Sequence, residues 1–212
     1  MFRSCDGGRG APERRSRVSP ITEESSLEDV CFAVCTALSR AGTVAVLTGG
    51  SAATYYAPHA YQSRDADFVI TFSSDTAHAG NALRALGYRE IGGTYHHDKN
   101  AFTVEFPPGP LAVGDDLIRS YDTVERDEQL LYILSRTDCI RDRLASFYFF
   151  GDRSALAAAI AVAQSGRVNL SSIKRWSEKE GEASRFAEFH ESLNAAKTAG
   201  VTMRSDRKQS RH

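Results

Sequence analysis

The sequence predicts an α+β protein, in which a small mixed β-sheet with flanking helices is followed by a lobe made of helices alone. Apolar runs of strand length alternate with helical patterns from residue 25 to residue 134. From residue 135 to residue 200 the apolar residues recur at helical spacing. Residues 1–24 are rich in Gly, Arg, Ser and Pro without apolar periodicity, so we predict a disordered segment there and a basic tail over residues 201–212.

Helices are predicted where apolar residues recur every three or four positions between a capping residue and a glycine. The first helix begins at a capping box formed by Ser25 and Glu28 and ends at Gly42. A later helix is capped by Ser135 or Thr137 and runs to about residue 149. The other helices are predicted over residues 51–56, 77–86, 152–164, 170–180 and 182–198.

Strands are predicted from short apolar or alternating runs that are bounded by turn residues. They cover residues 44–47, 65–72, 88–95, 101–106, 121–126 and 129–134. The third and fourth runs are predicted to form one hairpin, and the fifth and sixth another. The proline- and glycine-rich stretch over residues 107–116 is predicted to be a loop.

The composition restricts the class of protein. A formal net charge of −1 over 212 residues provides no global field that would recruit nucleic acid or a membrane. Four cysteines are too few for a disulfide-based scaffold of this size. The chain has no run of about 18 apolar residues and no apolar core of a secretory signal. We therefore expect a cytoplasmic protein with no membrane partner.

Three acidic residues lie in apolar, strand-like runs. Asp65 and Asp67 are two positions apart on a predicted strand and so share one of its faces, and Glu105 lies on a later strand. An unpaired carboxylate in an apolar surrounding costs several kcal/mol, and a bound divalent cation removes that cost. Carboxylate oxygens with water and phosphate oxygens suit Mg²⁺ or Mn²⁺. The pattern therefore predicts a metal site.

A glycine turn lies between the first strand and the second helix. It reads Gly49-Gly50-Ser51. The start of a helix presents free backbone N–H groups and the positive end of the helix dipole, and glycine allows a phosphate to approach the backbone closely. A phosphate site beside a carboxylate metal site implies phosphoryl or nucleotidyl transfer.

These residues resemble those of nucleotidyltransferases of the DNA polymerase β-like superfamily. The shared pattern is an apolar strand, a Gly-Gly-Ser turn and short helix, Asp65-Ala66-Asp67 on the next strand, and a third acid at Glu105. The resemblance covers roughly residues 43–165. More narrowly, the chain is similar to small bacterial nucleotidyltransferases grouped with abortive-infection and type IV toxin–antitoxin toxins, which also carry a helical lobe after the catalytic domain.

The resemblance implies a nucleotidyltransferase-like fold and transfer of an NMP group from an NTP to a hydroxyl acceptor. The metal would be bound by Asp65, Asp67 and Glu105, and Glu105 alternatively acts as the base for the acceptor hydroxyl. The nucleotide would be bound by Gly49, Gly50, Ser51, Arg141 and Arg143. The acceptor is a tRNA, a protein or a small molecule, and an antitoxin is a possible partner.

Two departures from the family pattern motivate alternatives. Glu105 stands where Asp is commoner, and Arg141 and Arg143 occupy the region where the toxin-like relatives usually have a lysine. One alternative is a non-catalytic nucleotide- or protein-binding module of the same fold, or a component of a toxin–antitoxin pair. Another is an RNA-binding factor that uses its basic termini.

Overall fold

The computed structural model describes residues 18–74 and 76–209, in which a mixed sheet is packed between helices. Its strands are β1 (Thr43–Leu47), β2 (Asp65–Ser73), β3 (Tyr88–Ile91), β4 (Thr94–His97), β5 (Asn100–Glu105), β6 (Ala112–Val113), β7 (Asp116–Leu117), β8 (Asp122–Arg126) and β9 (Gln129–Ile133). Its helices are α1 (Leu27–Arg40), α2 (Gly49–Tyr56), α3 (Thr76–Ala85), α4 (Arg136–Phe150), α5 (Arg153–Gln164), α6 (Leu170–Lys179) and α7 (Ala183–Gln209).

Seven strands form one sheet in the order β3-β4-β5-β2-β1-β9-β8. The pairs β2–β5 and β1–β9 are parallel, and the other neighbouring pairs are antiparallel. Strands β6 and β7 form a separate two-stranded hairpin. This mixed sheet with helices before, between and after its strands agrees with the predicted α+β class.

The N-terminus of α1 differs by one residue from the prediction. The cap is Ser26, whose side chain accepts a hydrogen bond from the Asp29 N–H, and the Asp29 carboxylate accepts from the Ser26 N–H. The box predicted at Ser25 and Glu28 is therefore wrong. Glu28 instead forms an ion pair with Arg126 of β8, which ties the start of α1 to the far edge of the sheet.

The strand predicted over residues 88–95 is a hairpin. Strands β3 and β4 pair antiparallel around Gly92 and Gly93, which both have positive φ angles of 63° and 88°. Such angles are available to glycine without steric cost and reverse the chain. The sequence predicted one continuous strand here, because the residues on both sides of the two glycines are strand formers. The consequence is an additional strand, β4, which pairs with β5 beside Glu105.

The ends of the chain also differ from the predictions. Ile21 is buried in the core, so part of the segment predicted to be disordered packs on the protein, whereas residues 1–17 lie outside the described part. Helix α7 continues to Gln209, so the tail predicted over residues 201–212 is helical as far as the description reaches. In the predicted loop over residues 107–116, β6 and the first residue of β7 form part of a short hairpin.

One hydrophobic core joins the sheet to the later helices. Helices α4 and α5 pack on each other and on α2, and α6 and α7 continue this layer. Helix α4 begins after Ser135, whose hydroxyl accepts from the Asp138 N–H, so Ser135 is the cap of this helix. The packing of α4 and α5 on α2 brings these two helices against the element that begins with the glycine turn. Among the described residues, no helix is both long enough and apolar enough to cross a membrane.

Candidate functional site

The pairing of two parallel strands brings the three predicted acids together. Strands β2 and β5 pair with Asp65 beside Thr103 and Asp67 beside Glu105. Side chains two residues apart on a strand share a face, so the carboxylates of Asp65 and Asp67 lie on the face that Glu105 also uses. One carboxylate oxygen from each of the three acids lies within 4.8 Å of the others. This spacing lets all three groups contribute to one cation site.

The central acid, Asp67, has a strongly perturbed ionisation. Burial raises the pKa of Asp67 to about 7, the negative charge of Asp65 adds to the rise, and Glu105 and Asp142 contribute further. Arg143 opposes the rise, but it does not cancel it. Three carboxylates of like charge at this separation are strained unless a cation neutralises them. The electrostatics therefore fit a hard divalent cation held by oxygen ligands.

The backbone of the glycine turn is attached directly to the strand that carries Asp67. The Thr48 N–H donates to the Asp67 carbonyl oxygen at 2.9 Å. Gly49 follows with φ of 65°, and a Cβ atom at this position would lie 3.1 Å from Asp67 Cγ and closer still to Oδ2. Glycine is thus favoured at position 49 for two reasons. The backbone has a positive φ angle, and a larger side chain would collide with the Asp67 carboxylate.

The hydroxyl of Ser51 has a different role from the predicted one. Ser51 is buried, its Oγ donates to the Thr48 carbonyl at 2.9 Å, and the same oxygen accepts from the Asp67 N–H at 3.1 Å. The hydroxyl therefore fixes the turn to β2 from inside the protein. A phosphate contact by Ser51 would have to come from its backbone N–H, since its side chain is already engaged.

Two further hydroxyls hold the outer acids. Ser63 Oγ donates to Asp65 Oδ1 at 2.9 Å, and Thr94 Oγ1 on β4 donates to Glu105 Oε1 at 3.0 Å. The Ser63 N–H in turn donates to Thr54 Oγ1 of α2 at 2.8 Å. All three acids are consequently attached to their surroundings by a hydrogen bond from or to a hydroxyl group.

The second glycine of the turn faces the loop that follows α2. A Cβ atom on Gly50 would lie 2.9 Å from Ser63 Oγ and 3.1 Å from the Tyr61 hydroxyl. The Tyr61 hydroxyl also interacts electrostatically with Arg143. Arg143 is 13% exposed and donates through Nε and Nη2 to Asp142 Oδ2 at 3.1 and 2.8 Å. Arg143 thus acts electrostatically on Asp67, but its guanidinium is paired with Asp142.

Arg141 lies on the same helix as Arg143 and is engaged in other interactions. Its Nη1 donates to Asp138 Oδ1 at 2.9 Å and its Nη2 to Asp116 Oδ2 at 2.6 Å. Its guanidinium also lies over the Trp176 ring at 5.1 Å. These contacts fix α4 to α6 and to the β6–β7 hairpin. The structure therefore shows Arg141 in a packing role, and a contact to a nucleotide would require it to leave two carboxylates.

Several residues that surround the acids were not predicted as site residues from the sequence. Ser63 was detectable, because it precedes Asp65 by two positions and so has the strand parity of the acids. Thr94 gave no signal, since its contact with Glu105 depends on the pairing of β4 with β5. Tyr61 and Asp142 likewise approach the site only through tertiary packing of the loop after α2 and of α4.

Comparisons with protein-family models and with curated proteins add no relative. The scan against protein-family models found no family that matches the chain, and the search of curated proteins found no match either. The resemblance described above consequently rests on the residues quoted for it.

Proposed function

We propose that the protein is a metal-dependent nucleotidyltransferase that moves an NMP group from an NTP to a hydroxyl acceptor, through a nucleotidyltransferase-like arrangement of β1, α2, β2 and β5. The observation that carries the proposal is the convergence of Asp65, Asp67 and Glu105 beside the Gly49-Gly50 turn. Neither feature alone is specific. Together they join a site for a divalent cation to the N-terminus of a helix, where backbone N–H groups and the helix dipole favour a phosphate group.

Mg²⁺ or Mn²⁺ would be held by Asp65, Asp67 and Glu105. When bound, the cation would neutralise charge on the phosphate oxygens and make the attacked phosphorus more electrophilic. The fit is supported by the oxygen ligands, their separation within 4.8 Å and the rise in the pKa of Asp67 that their shared charge helps to cause. Hard oxygen donors of this kind favour Mg²⁺ and Mn²⁺ over softer metals.

The start of α2 provides the phosphate-binding groups of the chain. Thr48 makes no side-chain capping bond to this helix, so the N–H groups of Gly50 and Ser51 keep their donors for a ligand. The absence of a side chain at Gly49 and Gly50 lets the Asp67 carboxylate, Ser63 and Tyr61 lie close to this backbone. Arg143, which is close enough to lower the pKa of Asp67, would balance the charge of the phosphates.

Glu105 is positioned to orient the acceptor hydroxyl as well as to bind the cation. Its carboxylate is held by Thr94 at one oxygen, which leaves the other free to accept a proton. The acceptor oxygen would attack the α-phosphorus of the NTP, the bond to the bridging oxygen would break, and pyrophosphate would leave. The acceptor proton would pass to Glu105 or to solvent.

The proposal is tested by incubating the protein with each of the four labelled NTPs, Mg²⁺ or Mn²⁺, and a mixture of RNA, protein and small-molecule acceptors. We expect pyrophosphate release together with label on an acceptor, and loss of both in Asp67→Asn. Absence of both products from the wild-type protein with every NTP and both metals would overturn the proposal. Turnover by Asp67→Asn at the wild-type rate would do so as well.

A second candidate function is a non-catalytic nucleotide-binding module. Two observations favour it, namely the internal hydrogen bonds of the Ser51 hydroxyl and the pairing of Arg143 with Asp142. In both cases a side chain that the family resemblance assigns to nucleotide binding is already hydrogen-bonded within the protein. This alternative predicts NTP binding in calorimetry without pyrophosphate release under the same conditions, whereas the enzyme shows both.

A further inference from the structure

We propose that Ser63 and Thr94 are positioning residues that set the affinity of the acidic site for its cation. The inference rests on the proposed function, because it assumes that Asp65 and Glu105 are ligands. Each hydroxyl donates to one oxygen of an outer acid, Ser63 to Asp65 at 2.9 Å and Thr94 to Glu105 at 3.0 Å. Neither residue belongs to the set predicted from the sequence.

The two outer acids are held differently from the central one. Asp67 is fixed through its main chain, because its N–H donates to Ser51 Oγ and its carbonyl accepts from the Thr48 N–H. The Asp65 and Glu105 carboxylates are fixed through their side chains. A carboxylate that accepts one hydroxyl bond loses its rotational freedom, and its second oxygen is then oriented before a cation arrives.

Each hydroxyl is itself placed by a separate element of the fold. Ser63 is held by its N–H, which donates to Thr54 of α2, so the position of Asp65 depends on the helix that carries the glycine turn. Thr94 is the first residue of β4, directly after the Gly92-Gly93 turn, and lies beside β5. The outer acids are thus oriented by different elements, Asp65 through α2 and Glu105 through the β3–β4 hairpin.

The expected effect is a loss of cation affinity with little loss of fold. Residues that orient metal ligands typically contribute about 10–100-fold to metal affinity. Both hydroxyls are partly accessible and each supports a single carboxylate. Ser63→Ala and Thr94→Val should therefore each weaken Mn²⁺ binding by about 10-fold, and the double variant by about 100-fold if the two act independently.

The experiment measures Mn²⁺ binding by calorimetry and by the loss of the free-ion electron paramagnetic resonance signal, without nucleotide. Ser63→Thr and Thr94→Ser keep a hydroxyl and should recover most of the affinity. Thr71→Val is the matched control, because Thr71 lies on the same strand as Asp65 but its hydroxyl donates to the Val44 carbonyl and not to an acid. It should leave the Mn²⁺ affinity unchanged.

Melting temperatures in EDTA separate positioning from folding. A variant that binds Mn²⁺ more weakly but melts within about 2 °C of the wild-type protein supports the proposal. If Thr94→Val unfolds, Thr94→Ala removes the same hydroxyl without β-branching. Wild-type Mn²⁺ affinity in Ser63→Ala and Thr94→Val, in a protein that transfers NMP, would refute the positioning role alone. No Mn²⁺ binding by the wild-type protein would overturn both this role and the proposed function.

Discussion

Two clusters of charged side chains in this protein differ in whether their charges are balanced. The acidic site consists of Asp65, Asp67 and Glu105. The ion-pair cluster consists of Asp116, Asp138, Arg141 and Lys179. The first gathers like charges whose neighbouring cation, Arg143, is already paired with Asp142. The second matches two carboxylates with two cations, so its charges are balanced within the fold.

The difference is visible in the ionisation of one acid from each cluster. Burial and neighbouring negative charges raise the pKa of Asp67 to about 7. The hydrogen bond from Lys179, aided by Arg141, lowers the pKa of Asp116 below its ordinary value. A balanced cluster stabilises the fold by itself, whereas an unbalanced one remains strained until a ligand arrives. This imbalance is the physical difference between the cluster that we propose as the functional site and the cluster that joins α4 to α6 and to the β6–β7 hairpin.

The largest effect that distinguishes the clusters should be seen in activity. Asp67→Asn keeps the size of the side chain but removes a ligand charge, so NMP transfer should fall by about a thousandfold, equivalent to about 4 kcal/mol. Asp116→Asn is the matched control in the ion-pair cluster and should retain near wild-type turnover with a lower melting temperature. Steady-state pyrophosphate release measures both. Equal losses of activity in the two variants would contradict the division of roles.

The ion-pair cluster should show the larger effect on stability. Arg141→Met leaves Asp116 and Asp138 without the cation that bridges them, and Arg141 is only 9% exposed. Removing one partner of a buried pair typically costs about 3–5 kcal/mol. We expect a loss near the lower end, because Lys179 still contacts Asp116. Urea denaturation measures the free energy of unfolding, and a loss below about 1 kcal/mol would contradict the structural role.

Gly49 and Gly92 provide a paired test of close approach at the acidic site. Both have φ near 65°, so alanine should cost each about 1–2 kcal/mol of unfolding free energy. Only at Gly49 would the added Cβ meet a neighbour, the Asp67 carboxylate, since nothing lies within 4 Å of the corresponding position at Gly92. Gly49→Ala should therefore be the less stable variant and should alone lose Mn²⁺ affinity. Equal unfolding free energies and equal Mn²⁺ affinities of the two variants would contradict a special requirement for glycine at position 49.

The last effect concerns pH. The pKa of Asp67 is raised from 3.8 to about 7 in the folded protein, so its stabilising contribution is fully present below about pH 4 and is lost progressively as pH rises to about 7. In EDTA, Asp67→Asn should therefore be more stable than wild type at pH 8, by about 1–3 kcal/mol after allowing for solvent screening. This gain should shrink as pH falls from 7 towards 4. Mg²⁺ at pH 8 should reverse the order of the melting temperatures, because only the wild-type site is neutralised by the cation.

Local sequence patterns specify which residues are strand, helix and turn over most of the chain, and which acids have the same strand parity. Alternation places Asp65 and Asp67 on one face of any strand they occupy, whatever its neighbours. Capping residues and glycines likewise act locally, which is why the bounds of β1, α2, β2, α4 and α5 lie close to the predicted ones. The glycine pair at 92–93 is also local, but its turn was hidden by strand formers on either side.

Which distant groups meet depends on how the strands pair and how the helices pack. The parallel pairing of β2 with β5 places Glu105 beside Asp67, and no local rule specifies that neighbour. Arg141 and Arg143 also cannot be assigned from the sequence alone. They are two positions apart on α4, so their side chains are separated by about 200° around the helix axis. One faces the ion-pair cluster and the other approaches the acidic site. Their nearly identical sequence contexts could not tell them apart, because the charges that fix each guanidinium come from different helices and strands.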